Sequence, residues 1–269
     1  MTGLDLLIVT VAMALALFAI MAVSWIVQDR TGHAGWIDVF WTFGVGLVGM
    51  AAAMTPPDFA PPHRNLLVAV LALIWSVRLG VHILRRNLRT ADDPRYAQIR
   101  AEYGADARRK MFWLVEKQAL VSIPLVLAIY LAAHNPDVQM RWQDIAGLIV
   151  MLVSVAGETT ADMQLRAFQR NPQNRGRICD AGLWRWSRHP NYFFEWLGWL
   201  AYPLIAIEIF GKYEWAWLSP SAPVVMFILL RFVSGVPPLE EHMEKTRGAA
   251  WQAYAARTSI FFPLPAFSA

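Results

Sequence analysis

Between Gly182 and Tyr192 the sequence reads Gly-Leu-Trp-Arg-Trp-Ser-Arg-His-Pro-Asn-Tyr, and an apolar stretch follows at once. Two arginines, a serine, a histidine and an asparagine thus stand within eleven residues. Pro190 suits the first turn of a helix, where a missing N–H costs nothing. The free N–H groups of that turn, beside Arg185 and Arg188, offer an anion site, because a guanidinium fork can bind two phosphate oxygens at once. The same residues also suit an interfacial belt, with Trp184 and Trp186 at lipid headgroups and the arginines on lipid phosphates. A second group, Glu158, Asp162 and Arg166, recurs every four residues and so shares one helix stripe. It reads either as an ion ladder at a helix end or as a polar wall, with Arg166 facing a phosphate and a carboxylate on ribose hydroxyls. Asp38, Arg78, His82, Glu195, Arg231, Glu240 and Glu241 are further ionisable residues in or beside apolar stretches, where each calls for a partner or a function.

The elements that must carry these groups are membrane helices. Of the 269 residues 57% are hydrophobic and the mean hydropathy is +0.36, too apolar for an ordinary soluble domain. Seven stretches have the length of a bilayer crossing: Leu6–Val27, Trp36–Met54, Leu66–Leu84, Trp113–Ala133, Ile145–Asp162, Tyr192–Phe210 and Trp215–Phe232. Gly44, Gly46 and Gly49 in the second suit close helix packing. Eighteen of the 24 Lys and Arg fall in alternate connections, chiefly Arg85–Lys110 and Arg166–Arg188. The positive-inside rule then puts the N-terminus outside and the C-terminus in the cytoplasm. The functional groups above all gather toward that cytoplasmic side. The net charge of +4 therefore reads as basic loops and not as a nucleic-acid surface.

The opposite connections, Thr55-Pro56-Pro57-Asp58, Pro61-Pro62 and His134-Asn135-Pro136-Asp137, read as helix-breaking turns without chemistry. Pro237–Tyr254 reads as one polar surface helix, with Glu240, Glu241 and Glu244 in its first turns. Cys179 is the only cysteine, so no intrachain disulfide or thiolate metal cluster is expected, and no metal site is assigned. The N-terminal stretch lacks a basic n-region and is long enough to span, which argues against a cleaved signal peptide. No internal repeat or separate soluble domain is visible: residues 1–269 read as one membrane domain, 1–140 on the substrate side and 141–269 binding the cofactor. Oligomeric state leaves no mark in the sequence.

The Ser187-Arg188-His189-Pro190-Asn191-Tyr192 run, with Glu195 four residues after Asn191, resembles the steroid 5α-reductase superfamily, more narrowly its bacterial branch. The likeness extends to Ala161–Phe168, Leu239-Glu240-Glu241, Arg247-Gly248, Trp251 and Tyr254, and to Asp92-Asp93-Pro94-Arg95-Tyr96. It covers residues 155–262 well and the first half loosely. Arg188-His189-Pro190 is shared with isoprenylcysteine carboxyl methyltransferases, which bind S-adenosylmethionine. The resemblance implies a seven-helix fold in a bacterial inner membrane, with NADPH held on the cytoplasmic side of the C-terminal helices. Asp162, Arg166, Asn191, Glu195 and Glu240 match cofactor-contacting positions of that family, and Trp186, Arg188, His189, Tyr192 and Tyr254 lie in the same motifs. Arg166, Arg170, Arg175, Arg177, Arg185 and Arg188 would neutralise its phosphates.

The implied reaction is hydride transfer to an activated C=C bond of a lipid-like or steroid-like enone, entering from the bilayer. In the steroid reductases a Gln-Glu pair on the second span and a tyrosine on the third polarise the carbonyl. Here Asp38 approximates the glutamate position, Ile37 stands where the glutamine would be, and the third span holds no tyrosine, leaving Arg78 and His82 as its polar candidates. Asp38 also fits a plain helix-dipole carboxylate, and His82 an interfacial histidine. The alternatives are an S-adenosylmethionine-dependent membrane methyltransferase, or a non-catalytic membrane protein keeping an inherited fold.

Overall fold

The first helix, α1 (Gly3–Thr31), opens on a capping box: Asp5 N donates to Thr2 Oγ1 at 3.2 Å and Thr2 N donates to Asp5 Oδ2 at 2.8 Å. It ends at Gly32, whose left-handed φ of 73° lets its N–H return to Gln28 O at 2.9 Å. The computed structural model describes residues 1–55, 61–89, 94–208 and 213–265. Next come α2 (Gly35–Met54), α3 (Pro62–Asn87), α4 (Pro94–Tyr103), α5 (Ala107–Ala133) and α6 (Trp142–Arg170). The second half adds α7 (Pro190–Trp199), α8 (Ala201–Ala206), α9 (Ser221–Ile228), α10 (Val236–Arg247) and α11 (Ala249–Arg257). Among the described residues there is no strand, only an isolated bridge between Ser187 and Ser259.

Among the described residues six helical runs are long and apolar enough to cross a membrane: Gly3–Thr31, Gly35–Met54, Pro62–Asn87, Ile99–Ala133, Trp142–Arg170 and Glu214–Arg247. The chain is an all-helical membrane protein. The stretch expected as a sixth crossing, Tyr192–Phe210, is instead two short helices, α7 and α8, interrupted at Leu200, and its end lies outside the described residues. So do Pro56, Pro57 and Asp58 of the first expected turn, Lys212, and Asp92 and Asp93 of the third connection. The polar tail is not the single helix expected. It divides into α10 and α11 at Gly248, whose φ of 47° an L side chain resists.

Two compact units form. The first is Met1–Gly147 with Tyr202–Ala222. Its centre is α2, packed against α1, α3 and α5. A Cβ on Gly46 would collide with Ser76 of α3, on Gly44 with Ile20 of α1, and on Gly49 with Ile129 of α5, so these glycines set the interhelical distances. At one end of this unit the connections are more than turns. Arg64, fully buried, donates to both carboxylate oxygens of Asp144 (3.2 and 2.9 Å) and to the carbonyls of Asn135 (3.0 Å), Asp137 and Gln139 (2.6 Å). Arg141 joins the same carboxylate at 3.3 Å and reaches the carbonyl of Ile205 in the last turn of α8. Asn135 Nδ2 donates to Ala206 O at 2.8 Å. The turn at His134–Asp137 is thus also a structural clasp, in which buried carbonyls find donors.

The second unit is Leu148–Ala201 with the chain from Pro223 onward. Here α7 lies on α6, with Phe194 against Gly157 and Ser154 Oγ donating to Phe194 O at 2.6 Å. Phe193, Trp196, Phe227, Phe261 and Phe262 make a cluster of edge-on rings that fastens the C-terminal segment to α7 and α9.

Candidate functional site

In the second unit the segment before α7 is held at both faces. Trp184 is buried, donates its indole N–H to Ala161 O of α6 at 2.9 Å, and its own carbonyl accepts the Tyr254 hydroxyl of α11 at 2.6 Å. Arg188 N donates to Ser259 O at 2.8 Å, and Ser187 Oγ donates to Phe261 O at 2.9 Å while accepting from His189 N at 3.1 Å. The interfacial-belt reading therefore fails for Trp184, a structural pillar, and for Arg188, which is 8% exposed; Arg185 and Trp186 do face outward.

Pinned in this way, Arg188 and His189 converge on one carboxylate. Glu240 Oε1 lies 3.0 Å from His189 Nε2 and 3.2 Å from Arg188 Nε. The first contact is a hydrogen bond. The second is an ion pair only, since Arg188 Nε is buried and finds no aligned acceptor. The Arg188 guanidinium also lies over the Trp251 ring at 5.6 Å, and His189 stacks on Tyr192 at 5.5 Å with planes 8° apart. Burial pulls the His189 imidazole below its ordinary range, against the upward pull of Glu240, so the ring is neutral and donates from Nε2. Burial also lowers Arg188, which Glu240 opposes, and Arg231 adds a further positive field. Burial pushes the Tyr254 phenol up, in keeping with a structural hydroxyl.

Around this centre, Pro190 does occupy the first turn of α7, whose N-terminus no side chain caps. Asn191 follows, half-buried. Glu195, one turn on, is buried and accepts from Trp199 Nε1 at 3.1 Å. On α6, Glu158 and Asp162 are buried and Arg166 at the end of their stripe is exposed. Trp184 and Tyr254 tie α6 to α11 beside Asp162, whereas Trp186 is 45% exposed and turned away. The set fits a phosphorylated nucleotide on the observation of Arg188 itself: a buried guanidinium with an unused donor, next to an uncapped helix N-terminus and exposed arginines.

In the first unit Asp38 stands in the first turn of α2 and does not stand alone. Tyr96 of α4 donates its hydroxyl to Asp38 Oδ1 at 2.9 Å, and Gln118 of α5 donates Nε2 to the same phenol oxygen at 2.9 Å. Arg86 Nη2 is 3.7 Å from Asp38 Oδ2. Arg78, His82 and Arg86 are spaced four apart on α3 and share a stripe; the first two are half-buried. Trp41, which packs edge-on against Trp75, donates to Ser122 Oγ at 2.7 Å and closes the wall beside Gln118. Tyr96 and Gln118 escaped the sequence reading of catalysis. Tyr96 was visible only as part of a loop motif, and Gln118 only as a polar residue inside an apolar run. A separate apolar groove of about 360 Å³, lined by Ile20, Trp36, Phe40, Phe43, Leu47 and Leu84, lies about half a turn around α2 from Asp38. It is not the pocket of that carboxylate.

Comparison with known proteins covers most of the chain. A family model described as a protein of unknown function, DUF1295, matches residues 24–258. An uncharacterized protein of Schizosaccharomyces pombe is 28% identical over 234 residues, which cover 75% of this chain and 64% of the yeast protein. The matched region thus spans less than two thirds of that relative's length. No solved structure matches the chain.

Proposed function

The chain belongs to the DUF1295 family, and from that premise we propose that it is an NADPH-dependent membrane reductase acting on the activated C=C bond of a lipid-like or steroid-like enone. The observation that carries this reading is the Gln118–Tyr96–Asp38 chain. Reduction of an enone needs a donor that polarises the carbonyl and stabilises the enolate oxygen, whereas methyl transfer to a carboxylate needs none. The tyrosine and glutamine that the resembling reductases carry on membrane spans are supplied here from α4 and α5.

In this reading α7 and α8 together make a seventh crossing. The basic connections face the cytoplasm of a bacterial inner membrane, and the N-terminus faces out. Arg188, Arg166, Asn191 and the N-terminus of α7 would bind the nucleotide phosphates, with Asp162, Glu195, Glu240, His189, Tyr192 and Tyr254 around it; Trp186, turned away, would not take part. Bound NADPH would supply the hydride. Tyr96 turns its hydroxyl from Asp38 to the substrate carbonyl, with Gln118 still donating to the phenol oxygen. Gln118 then holds the phenol in place, and Arg86 balances the charge of Asp38. Arg78 and His82 extend the polar wall. The carbonyl end of the substrate stays in this wall and its apolar body in lipid.

Melting of the purified protein in detergent with NADPH, NADH and S-adenosylmethionine tests the reading. A ligand at a hundred times its Kd stabilises by about 2.7 kcal/mol. NADPH gives the largest shift, and Arg166→Ala, an exposed change, removes it. Tyr96→Phe keeps that shift but lowers enone-dependent NADPH oxidation by about 10²–10⁴-fold. A shift with S-adenosylmethionine alone favours the methyltransferase, and no shift with any of the three favours a non-catalytic protein.

A further inference from the structure

The first turn of α5 carries three consecutive cations, Arg108, Arg109 and Lys110. They repel one another and the positive end of the helix dipole. Arg108 is compensated, with Nε 3.2 Å from Asp29 Oδ2 and its guanidinium over the Trp25 ring at 5.3 Å. Arg109, Lys110 and Lys117 have no carboxylate partner among the described residues; Lys110 Nζ lies 5.3 Å over the Tyr103 ring. These three line one open cavity of about 270 Å³, together with Tyr103, Trp113 and Leu114.

Lys117 starts about 10 Å further along the helix than Lys110. Helix side chains lean toward the N-terminus, and a lysine stem can run along apolar surface to bring its ammonium back to water. All three side chains line the cavity, and Lys117 can extend its ammonium toward the mouth. Trp113, 59% exposed, sits on the run Ile99–Ala133, which is long and apolar enough to cross a membrane. A tryptophan at this point marks the lipid–water boundary. Cations at the mouth and an indole and a leucine below reproduce, in complement, a phospholipid: phosphate above, glycerol and acyl esters beneath.

We propose that this cavity is a binding site for an anionic glycerophospholipid, whose phosphate relieves the repulsion at the start of α5. It favours an anionic over a zwitterionic headgroup, because a choline would add a fourth cation to three. The site is independent of the reductase reading and shares no residue with it.

Native mass spectrometry and melting of the delipidated full-length protein in detergent test it. The probes are dioleoylphosphatidylglycerol, dioleoylphosphatidylcholine and inorganic phosphate. Phosphatidylglycerol is retained and raises the melting temperature; the other two do neither. The combined change Arg109→Gln, Lys110→Gln and Lys117→Gln lowers phosphatidylglycerol retention by at least about tenfold. The lipid-free variant melts within a few degrees of the native chain, since the repulsion it loses offsets the exposed contact of Lys110 with the Tyr103 ring. Equal retention of both lipids, undiminished selectivity in the triple variant, or an equal rise with inorganic phosphate overturns the proposal.

Discussion

His189 shows how one side chain reports its surroundings. Its Nε2 is 3.0 Å from Glu240 Oε1, a contact that would favour the imidazolium, yet burial outweighs it and lowers the pKa. An unfolded histidine takes up its proton near pH 6.5. The folded chain resists that proton, so the stabilisation is complete above about pH 6.5 and declines as the pH falls from there toward the lower folded value. The melting temperature should therefore fall between about pH 7 and pH 5, and His189→Gln should flatten the decline. His134, whose pKa burial also lowers, leaves a residual slope. A slope unchanged by His189→Gln would show that the ring is already protonated in the native protein. The motif Ser187–Tyr192 was legible as chemistry from its residue types. Its choice of Glu240 as partner was not, because 51 residues separate them and only the fold brings them together.

At the scale of elements, apolar periodicity and length located most of the helices, and the glycines of α2 announced its packed position. Gly46 faces Ser76 so closely that no side chain fits between. Gly46→Ala should cost about 1–3 kcal/mol, read as a lower midpoint in a denaturant melt. Ser76→Gly in the same chain should recover part of that loss; no recovery would place the strain elsewhere. What hydropathy missed is the interruption at Leu200 and the division of the tail at Gly248. An average over an apolar window is blind to where the backbone hydrogen-bond ladder breaks. The π turn at Leu229–Val233, with Ser234 N donating to Leu229 O at 2.8 Å, is hidden for the same reason.

For the whole molecule, the distribution of charge separates what counting can reach from what it cannot. Basic residues concentrate in alternate connections, which the sequence alone shows. Arg64 and Arg141, among the few basic residues of the other connections, are the centre of a buried clasp on Asp144 that closes the first unit. Both side chains of the Arg64–Asp144 pair are fully buried. Arg64→Ala leaves the Asp144 carboxylate with half its donors and three carbonyls unpaired, and should cost about 3–5 kcal/mol. Arg64→Lys should rescue little, because a lysine cannot present five fixed donors. The thermal midpoint of both variants in detergent checks this, and a loss below about 1 kcal/mol would mean that water replaces the arginine.

By itself the sequence determined that this is a helical membrane protein, where most of its helices run, and which short segment is rich in anion-binding groups. These follow from composition and local spacing, and both act within a few turns of chain. Only the tertiary structure decided that Tyr96 and Gln118 stand at Asp38, that Glu240 joins Arg188 to His189, and that the loops around Arg64 are a buried ionic lock. Each of these contacts joins residues far apart in the chain. Such a pairing is chosen by which polar groups burial leaves in need of a partner, and that need arises only once the helices have packed.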